Sequence, residues 1–292
     1  MEIRKILQEK LKATLTQISH ESLNSTFVGY SELYKQVIFV KVFSQEGKFL
    51  TEKAVNEQLN SRVLGFFTIE NSQRFILIMK DCNPIDLKLP LTAELAFEMG
   101  QELSAFHQNV KPFEGIYLNE QLFKKVETDV SSLKNFVVKG RLEELLKAFN
   151  PIKAKIEHDL CAYSTVVLHG DVGVRNYKLV NEKLRLIDFE RARKGVNYQD
   201  FIKLFYQDFK LNKNLISSFI EGYKTKGAKV EILPETQVFL IFITAVGIMK
   251  YVEKIEDQPF EKIGKLMLET CTQYFNMDFG NESKQKLNAI IE

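Results

Sequence analysis

The most constraining feature of the sequence is a short polar loop that leads into a predicted β-hairpin. The apolar segment Val166–Leu168 ends abruptly in His169-Gly170-Asp171, and the apolar runs 177–180 and 184–187 follow. Two such runs on either side of a short polar segment are typical of a hairpin. We expect a three-residue turn centred on Glu182, which would place Asn176 directly opposite Asp188.

The spacing of these side chains predicts a magnesium-dependent chemistry. Opposed residues in an antiparallel pair lie about 4.5–5.5 Å apart at Cα, so Asn176 and Asp188 could share one small cation. Amide and carboxylate oxygens, completed by water and phosphate oxygens, suit Mg²⁺. Asp171 offers a further carboxylate that can accept or orient the proton of a hydroxyl. A base beside a metal-binding pair is the equipment of phosphoryl transfer.

These segments resemble the aminoglycoside phosphotransferase and choline kinase-like family, which shares the protein-kinase fold. The HGDxxxxN loop of that family is matched by 169–176, and its ID(W/F)(E/D) strand is matched by 187–190. The resemblance implies that Asp171 is the catalytic aspartate, that Asn176 and Asp188 bind Mg²⁺, and that ATP is the phosphate donor. Two further matches are His107, which we expect to be structural, and Asp200, which we expect to cap a helix or brace the catalytic loop.

The fold class expected from this resemblance is α+β, a protein-kinase-like bilobal fold with a small β-rich N-lobe and a larger helical C-lobe. We predict the N-lobe at 1–82 and the C-lobe at 83–292, with a hinge in the pattern break at 80–84. The N-lobe pattern indicates a helix within 1–25, strands at 37–43 and 75–79, and a helix over 51–64. The C-lobe pattern indicates one β segment, 166–190, and helices over 92–107, 122–136, 141–160, 199–209, 215–226, 235–255 and 260–275.

Lys41 is the lone charge in an apolar strand, and because burying an unpaired ammonium is costly, we expect it to have a partner. The resemblance makes it the lysine that binds the ATP phosphates; the alternative is an edge-strand lysine facing water. Glu52 and Glu57 on the next helix are both candidate partners. We prefer Glu52, because it shares a helix face with the apolar residues Val55 and Leu59.

The remaining nucleotide contacts are expected in two segments. Residues 27–31 should cover the nucleotide, with Gly29 as their single glycine. The adenine should hydrogen-bond to the backbone of the segment formed by Ile78, Met79, Lys80, Asp81 and Cys82. For the side chains of Ile78 and Met79, plain core packing is an equal alternative.

Composition excludes several other classes of protein. Lys and Arg number 40 against 38 Asp and Glu, which argues against a dedicated partner in nucleic acid or at a membrane surface. The longest apolar stretch, 238–249, is too short to span a bilayer and suits a buried helix. The three cysteines are far apart and form no CxxC, so we expect a reducing, cytoplasmic location. The P-loop, Rossmann, zincin and α/β-hydrolase motifs are missing from the sequence.

The acceptor is expected to be a small hydroxylated molecule, because only twelve positions separate Asp188 from Asp200, too few for a peptide-binding segment. The expected activity is transfer of the γ-phosphate of ATP to an amino sugar, amino alcohol or sugar-like acceptor. The alternatives are an ATP-binding regulatory module without turnover and, less favoured, a protein kinase. A cationic acceptor would need carboxylates or aromatic rings, for which the sequence offers Glu190, Asp208, Glu221, Tyr206 and Tyr223, with Glu190 as the candidate acceptor-site residue.

Overall fold

The N-lobe is an antiparallel five-stranded sheet with one helix on each face. The computed structural model describes residues 2–18, 24–59, 62–118 and 121–276. The strands lie in the order β1-β2-β3-β5-β4. Their bounds are β1 Ala13–Ile18, β2 Ser25–Ser31, β3 Gln36–Phe43, β4 Val63–Ile69 and β5 Arg74–Lys80, and the helices are α1 Glu2–Leu11 and α2 Glu46–Leu59.

The alternation of side chains along β3 determines which residues lie on each face of this sheet. Ile38, Val40 and Val42 pack in one apolar cluster with Leu7 and Leu11 of α1. The intervening positions point to the opposite face, as the period of two in a strand requires. Phe43 packs there against Phe49 of α2, and Lys41 therefore shares the face of α2. This register brings a charged side chain to the side of the sheet that meets the C-lobe.

The C-lobe is mostly helical and carries three short antiparallel strand pairs. Its helices are α3 Ala93–Asn109, α4 Leu122–Ser131, α5 Phe136–Phe149, α6 Lys153–Ala162, α7 Gln199–Lys203, α8 Lys213–Lys224, α9 Pro234–Val252 and α10 Gln258–Asn276. Its strands are β6 Ile85–Asp86, β7 Val166–Leu168, β8 Tyr177–Val180, β9 Lys183–Leu186 and β10 Arg193–Gly195. β10 pairs with β7, and β8 lies between β6 and β9.

Helix α9 is the centre of the C-lobe core. Its Phe239 ring stacks on Phe123 of α4, with ring centroids 3.9 Å apart, and packs edge-on against Phe149 of α5. By length and composition alone α9 could cross a membrane, but 67% of its apolar window is buried inside the molecule. The expected buried helix in this part of the chain is therefore confirmed.

Several predicted element bounds are wrong for identifiable reasons. The single helix expected within 1–25 ends at Leu11, where Lys12 adopts a φ of 43°, and the alternating segment that follows forms β1. The helix expected over 122–136 ends at Ser131, because the Asn135 side chain caps a new helix by accepting hydrogen bonds from the N–H groups of Val137 and Val138. The helix expected over 141–160 is interrupted at Pro151, which has no N–H to donate.

Helices α2 and α7 and two short strands also differ from the predicted elements. Helix α2 begins at Glu46 and ends at Leu59, so the last residues of the predicted helix over 51–64 belong to β4 instead. The expected helix over 199–209 is α7 continued by a π-helical turn at Leu204–Asp208. Strands β6 and β10 lie outside the single β segment that the sequence pattern predicted.

The register of the β8–β9 hairpin corrects the predicted turn. Val180 pairs with Lys183, so the turn has two residues rather than three. Asn181 and Glu182 both adopt positive φ, 49° and 63°, as a type I′ turn requires. In this register Asn176 lies opposite Ile187, whose N–H donates to the Asn176 carbonyl at 3.0 Å. Asp188 is one position further along than we expected.

Candidate active site

Lys41 is the point at which the two lobes meet. Its Nζ lies 3.2 Å from Glu52 Oε2 and 3.1 Å from Glu190 Oε2. It also donates a short hydrogen bond to Asp188 Oδ1. The predicted ion pair with Glu52 is present, and Glu57 instead pairs with Lys53 on the surface. The alternative of a lysine facing water is excluded, because only 6% of the Lys41 side chain is exposed.

Burial and charge act against each other in this cluster. Burial lowers the pKa of Lys41, but the carboxylates of Glu52, Asp188 and Glu190 outweigh it and raise the pKa above its ordinary value. Burial alone would raise the pKa of Asp188, but the Lys41 ammonium holds that pKa below its usual range. Both groups are therefore charged at neutral pH. Glu52 is fixed further by Asn56, whose Nδ2 donates to Glu52 Oε1 at 3.0 Å.

Glu190, the candidate acceptor-site residue, lies in this same cluster. Besides Lys41, its carboxylate accepts a hydrogen bond from Lys48 Nζ at 3.1 Å and a short one from Asn24 Nδ2. The side chain is therefore directed at the N-lobe, on the side of the cleft where Lys41 lies.

The loop after β7 is held by a buried chain of hydrogen bonds. Asp200 accepts from the backbone N–H groups of His169, at 2.7 Å, and Gly170, at 2.9 Å. It also accepts from His107 Nε2 at 3.0 Å, and the Tyr223 hydroxyl lies 2.7 Å from the other ring nitrogen. Asp200 thus braces the loop, as expected, and His107 is structural. The His169 ring ties the loop to the segment after β9, since its Nε2 donates to the Ile187 carbonyl at 3.0 Å.

The Asp171 side chain extends from this loop and is surrounded by three basic side chains. Its Oδ2 accepts from Arg175 Nη2 at 2.7 Å, and its Oδ1 accepts a short hydrogen bond from Lys203 Nζ. Arg191 Nη1 lies 3.9 Å away. Burial raises the pKa of Asp171, but these three cations outweigh it and hold the pKa below its ordinary range.

Asn176 and Asp188 flank the Asp171 loop on its N-lobe side. Asn176 is buried, and its Nδ2 donates to the Asp171 carbonyl at 2.8 Å, while no described residue bonds its Oδ1. Asp188 has a φ of 68°, which turns its carboxylate toward Lys41. Within the described residues, no group of three or more His, Cys, Asp or Glu side chains could hold a metal ion. A cation here would therefore depend on one amide oxygen, one carboxylate and non-protein ligands.

The segment that we expect to cover the nucleotide is a strand of the N-lobe sheet. Residues 27–31 belong to strand β2, paired on both sides in the sheet. Gly29 is required there by packing, because an added Cβ would lie 1.8 Å from the Thr14 carbonyl oxygen. The connection between β1 and β2, residues 19–23, lies outside the described residues.

The adenine segment is divided between the two faces of the sheet. Met79 pairs with Phe39 and lies on the face of Lys41, whereas the Ile78 side chain lies on the opposite face against α1. Lys80 and Asp81 donate their N–H groups to the carbonyls of Arg62 and Val37. Cys82 is partly buried at the end of this segment. Core packing therefore accounts for the Ile78 side chain.

Sequence reasoning missed the cations of the site. Lys203 follows Asp200 by one helical turn, and Arg175 directly precedes Asn176. Arg191 and Arg193 follow the predicted metal strand at alternate positions. The signal was this concentration of basic residues next to a carboxylate motif, but only the fold shows that Lys203, Arg175 and Arg191 meet at Asp171.

No protein-family model matches the sequence, and no curated protein is recognisably similar to it. Solved structures do match. A choline kinase, LicA from Streptococcus pneumoniae, has 16% sequence identity and a TM-score of 0.64, with 94% of this chain and 98% of that chain covered. A thermostable mutant of the aminoglycoside phosphotransferase APH(4)-Ia, in a ternary complex with AMP-PNP and hygromycin B, has 12% identity and a TM-score of 0.71 over 95% of this chain and 100% of that one.

A choline/ethanolamine kinase family protein from Mesorhizobium loti has 12% identity and a TM-score of 0.62, with 99% of this chain and 98% of that chain covered. These similarities extend over nearly the whole length of both partners. They confirm the predicted protein-kinase-like fold with its small β-rich N-lobe and larger helical C-lobe. The motif-based resemblance to this group of phosphotransferases is thereby confirmed at the level of the fold.

Proposed function

We propose that this protein is an ATP- and Mg²⁺-dependent phosphotransferase that moves the γ-phosphate to a hydroxyl of a small molecule. The observation that carries the proposal is the contact between Lys41 of the N-lobe and Asp188 of the C-lobe, beside the braced loop that presents Asp171. The similar solved structures are described as choline and aminoglycoside kinases, which supports a small-molecule acceptor.

The N-lobe side of the cleft supplies the phosphate-binding charge in this proposal. Lys41 exchanges its contact with Asp188 for the phosphates of ATP, and Glu52 keeps the ammonium in position. Met79, Lys80, Asp81 and Cys82 border the adenine site through backbone groups. Gly29 and Ile78 belong to the sheet that supports the site, and the Ile78 side chain packs on the face of the sheet away from Lys41.

The oxygens of Asn176 and Asp188 fit a magnesium site. The Asn176 amide is oriented by its hydrogen bond to the Asp171 carbonyl, which leaves Oδ1 as a ligand. Mg²⁺ keeps several waters and takes phosphate oxygens, so two protein oxygens are a sufficient donor set. When bound, the ion neutralises the charge that develops on the phosphates.

Asp171 holds the acceptor hydroxyl in this mechanism. The acceptor oxygen forms a bond to the γ-phosphorus, the bond from that phosphorus to the ADP oxygen breaks, and the hydroxyl proton passes to the Asp171 carboxylate. A carboxylate with a lowered pKa is a weak base, so positioning of the hydroxyl is its larger contribution. The brace from Asp200 fixes the loop and hence this position.

We place the boundary between the lobes between residues 82 and 83, because β5 ends at Lys80 and β6 already pairs with β8 of the C-lobe. We also propose a cytoplasmic location and no nucleic-acid or membrane partner, in keeping with the near-balanced charge and the burial of α9.

Acceptor-dependent release of ADP tests the function. Purified protein is incubated with Mg²⁺ and ATP and with amino sugars, amino alcohols, sugars and their acidic derivatives in separate reactions. The proposal expects ADP release that depends on one acceptor class. Binding of Mg-ATP without acceptor-dependent release would support the alternative of a regulatory module, and phosphorylation of a protein substrate would support a protein kinase.

A further inference from the structure

A cleft of about 170 Å³ opens beside Asp171, and Lys41 is not among the residues that line it. Its position makes it the place for an acceptor, because a hydroxyl bound there would meet the Asp171 carboxylate. Its polar lining comes from six side chains, namely Asp171, Arg193, Gln199, Asp200, Lys203 and Thr244. The charges of these groups therefore indicate what kind of acceptor fits.

Arg193 is the most informative of these side chains. It is partly buried, and it makes no hydrogen bond or ion pair with the residues that the structure describes. Its Nη1 lies beside Gly170, at the entrance to the Asp171 loop, since a Cβ on that glycine would be 2.6 Å from it. A guanidinium carries five N–H donors, so an unpaired one at a cleft wall is a ready site for an anion.

The neighbouring carboxylates make no hydrogen bond or ion pair with this arginine, although its charge helps to lower the pKa of Asp200. Asp200 lies in the cleft wall, but its two oxygens already accept from His169, Gly170 and His107. Asp171 is shared by Arg175 and Lys203. Lys203 also lies over the Phe260 ring, 5.5 Å from its centroid, which keeps its ammonium at the cleft. Free donors thus outnumber free acceptors in the cleft.

The groups that a cationic acceptor would need are not among the residues that line the cleft. The Glu190 carboxylate already forms ion pairs with Lys41 and Lys48. Tyr223 is bonded to His107, and the Tyr206 hydroxyl donates to Thr270 Oγ1 at 2.9 Å. Asp208 accepts from the Val174 N–H at 3.2 Å, and burial raises its pKa. Glu221 is exposed on α8. None of these five residues forms a carboxylate-rich or aromatic wall in the cleft.

We infer that the acceptor is a hydroxylated anion, carrying a carboxylate or a phosphate ester that Arg193 and Lys203 bind. The inference rests on the proposed function, since it assigns the substrate class of the same site. It also gives the resting contact of Lys203 with Asp171 a role. An anionic group that attracts Lys203 would weaken that contact and release Asp171 Oδ1 for the acceptor hydroxyl.

Matched acceptors that differ only in charge test the inference. ADP release is measured with glycerol, glycerate, glycerol phosphate and aminopropanediol, and with glucose, gluconate, glucose phosphate and glucosamine. In parallel, calorimetry measures binding of the same compounds to the protein saturated with Mg²⁺ and AMP-PNP. We expect turnover or binding with the carboxylates, glycerate or gluconate, or with the phosphate esters, glycerol phosphate or glucose phosphate. Comparison of these two anionic arms identifies which anion is used.

Variants on strand β10 connect the result to Arg193. Arg193→Gln should raise KM for the anionic acceptor about tenfold to a hundredfold, because a charge-assisted hydrogen bond is lost. The KM for ATP should hardly change. Lys194→Gln is the matched control: it removes the same charge from the adjacent residue, which lies on the opposite face of the strand. This control should behave like the wild type.

Each outcome decides between the two proposals. A preference for the neutral or cationic members, or an Arg193→Gln variant that handles anions like the wild type, would overturn the anionic acceptor and leave the phosphotransferase intact. Absence of both turnover and binding in the two anionic arms would also overturn it. Failure of the wild type to bind Mg-ATP would instead overturn the proposed function.

Discussion

At the residue scale, the site is defined by two oppositely charged centres. Lys41 is enclosed by carboxylates, and Asp171 is enclosed by cations. Each centre is therefore fixed in its charged form before any ligand arrives. In the proposed mechanism, a phosphate would replace the carboxylates around Lys41, and an anionic acceptor would replace Asp171 as the partner of Lys203.

The lowered pKa of Asp171 predicts the shape of the pH profile. An aspartate with a lowered pKa in the folded protein stays ionised at any pH above its unfolded pKa of about 4, and its ion pairs are lost only as the pH falls further. We therefore expect kcat/KM to show no acidic limb from Asp171 between about pH 5 and 7. Measuring kcat/KM across this range checks the expectation. A limb that persists in the Asp171→Asn variant arises from another titrating group. A limb near pH 6 that disappears in this variant would contradict it.

The Lys41–Glu52 pair should act as a unit. Lys41→Met and Glu52→Gln should each lower kcat/KM by about tenfold or more, which corresponds to about 1.4 kcal/mol. The double variant should be little worse than Lys41→Met, because residues in one ion pair are not additive. Glu57→Gln, on the same helix but paired with Lys53, is the control and should keep full activity. Equal losses from Glu57→Gln and Glu52→Gln would refute the assignment.

At the element scale, the close crossing of α3 and α8 supports the catalytic loop. Gly100 and Gly222 lie at this crossing, where an added Cβ would come within 2.0 Å of a carbonyl oxygen on the facing helix. The crossing brings Tyr223 to His107, and through it to Asp200. The distance between two helices is thereby linked to the position of Asp171.

Gly222→Ala should destabilise the protein by about 1–3 kcal/mol or more, because the backbones must separate to admit the methyl group. Gly140→Ala is the matched control: Gly140 lies in α5 with nothing within 4 Å of an added Cβ. That change should stabilise the protein by about 0.5–1 kcal/mol. Denaturant midpoints measure both, and a Gly222→Ala variant as stable as the wild type would show that the crossing tolerates expansion.

Elements that depend on local pattern could be predicted from the sequence, and those that depend on tertiary context could not. The apolar runs of β3, β5, α3 and α9 are unambiguous. The first helix was overextended because the apolar spacing of Leu7, Leu11 and Leu15 fits a helix, although Leu15 packs from a strand in the same cluster. The hairpin register depended on a single turn residue, and a two-residue turn moves every opposed pair by one.

At the scale of the whole molecule, the cleft between the lobes assembles groups that are far apart in sequence. The HGDxxxxN and IDFE segments indicated Asp171, Asn176 and Asp188, and the lone charge in β3 indicated Lys41. The cations around Asp171 come from its own loop, from the segment between β9 and β10, and from α7. No spacing rule links these segments, so the charge of the acceptor cleft could be deduced only from the fold.

Asp188→Ala should remove most of the increase in ATP affinity that Mg²⁺ provides, because one of the two protein oxygens for the ion is lost. Calorimetric titration of ATP with and without Mg²⁺ measures this. Glu190→Gln is the control, since it also removes a carboxylate from Lys41 but keeps Asn176 and Asp188. An unchanged Mg²⁺ dependence in Asp188→Ala would exclude the proposed ligand pair.

The most direct test of the proposed phosphotransferase is the effect of Asp171→Asn on acceptor-dependent ADP release, measured together with Mg-ATP affinity and melting temperature. The variant keeps the shape of the side chain but orients the acceptor hydroxyl only weakly and cannot take its proton, so we predict that kcat falls by about 10²–10⁴-fold. Mg-ATP affinity should be nearly unchanged. The melting temperature should be nearly unchanged, because the amide oxygen of Asn can still accept a hydrogen bond from one of the cations around position 171. A large fall in melting temperature and ATP affinity with only a modest loss of rate would contradict the account and make Asp171 a structural residue.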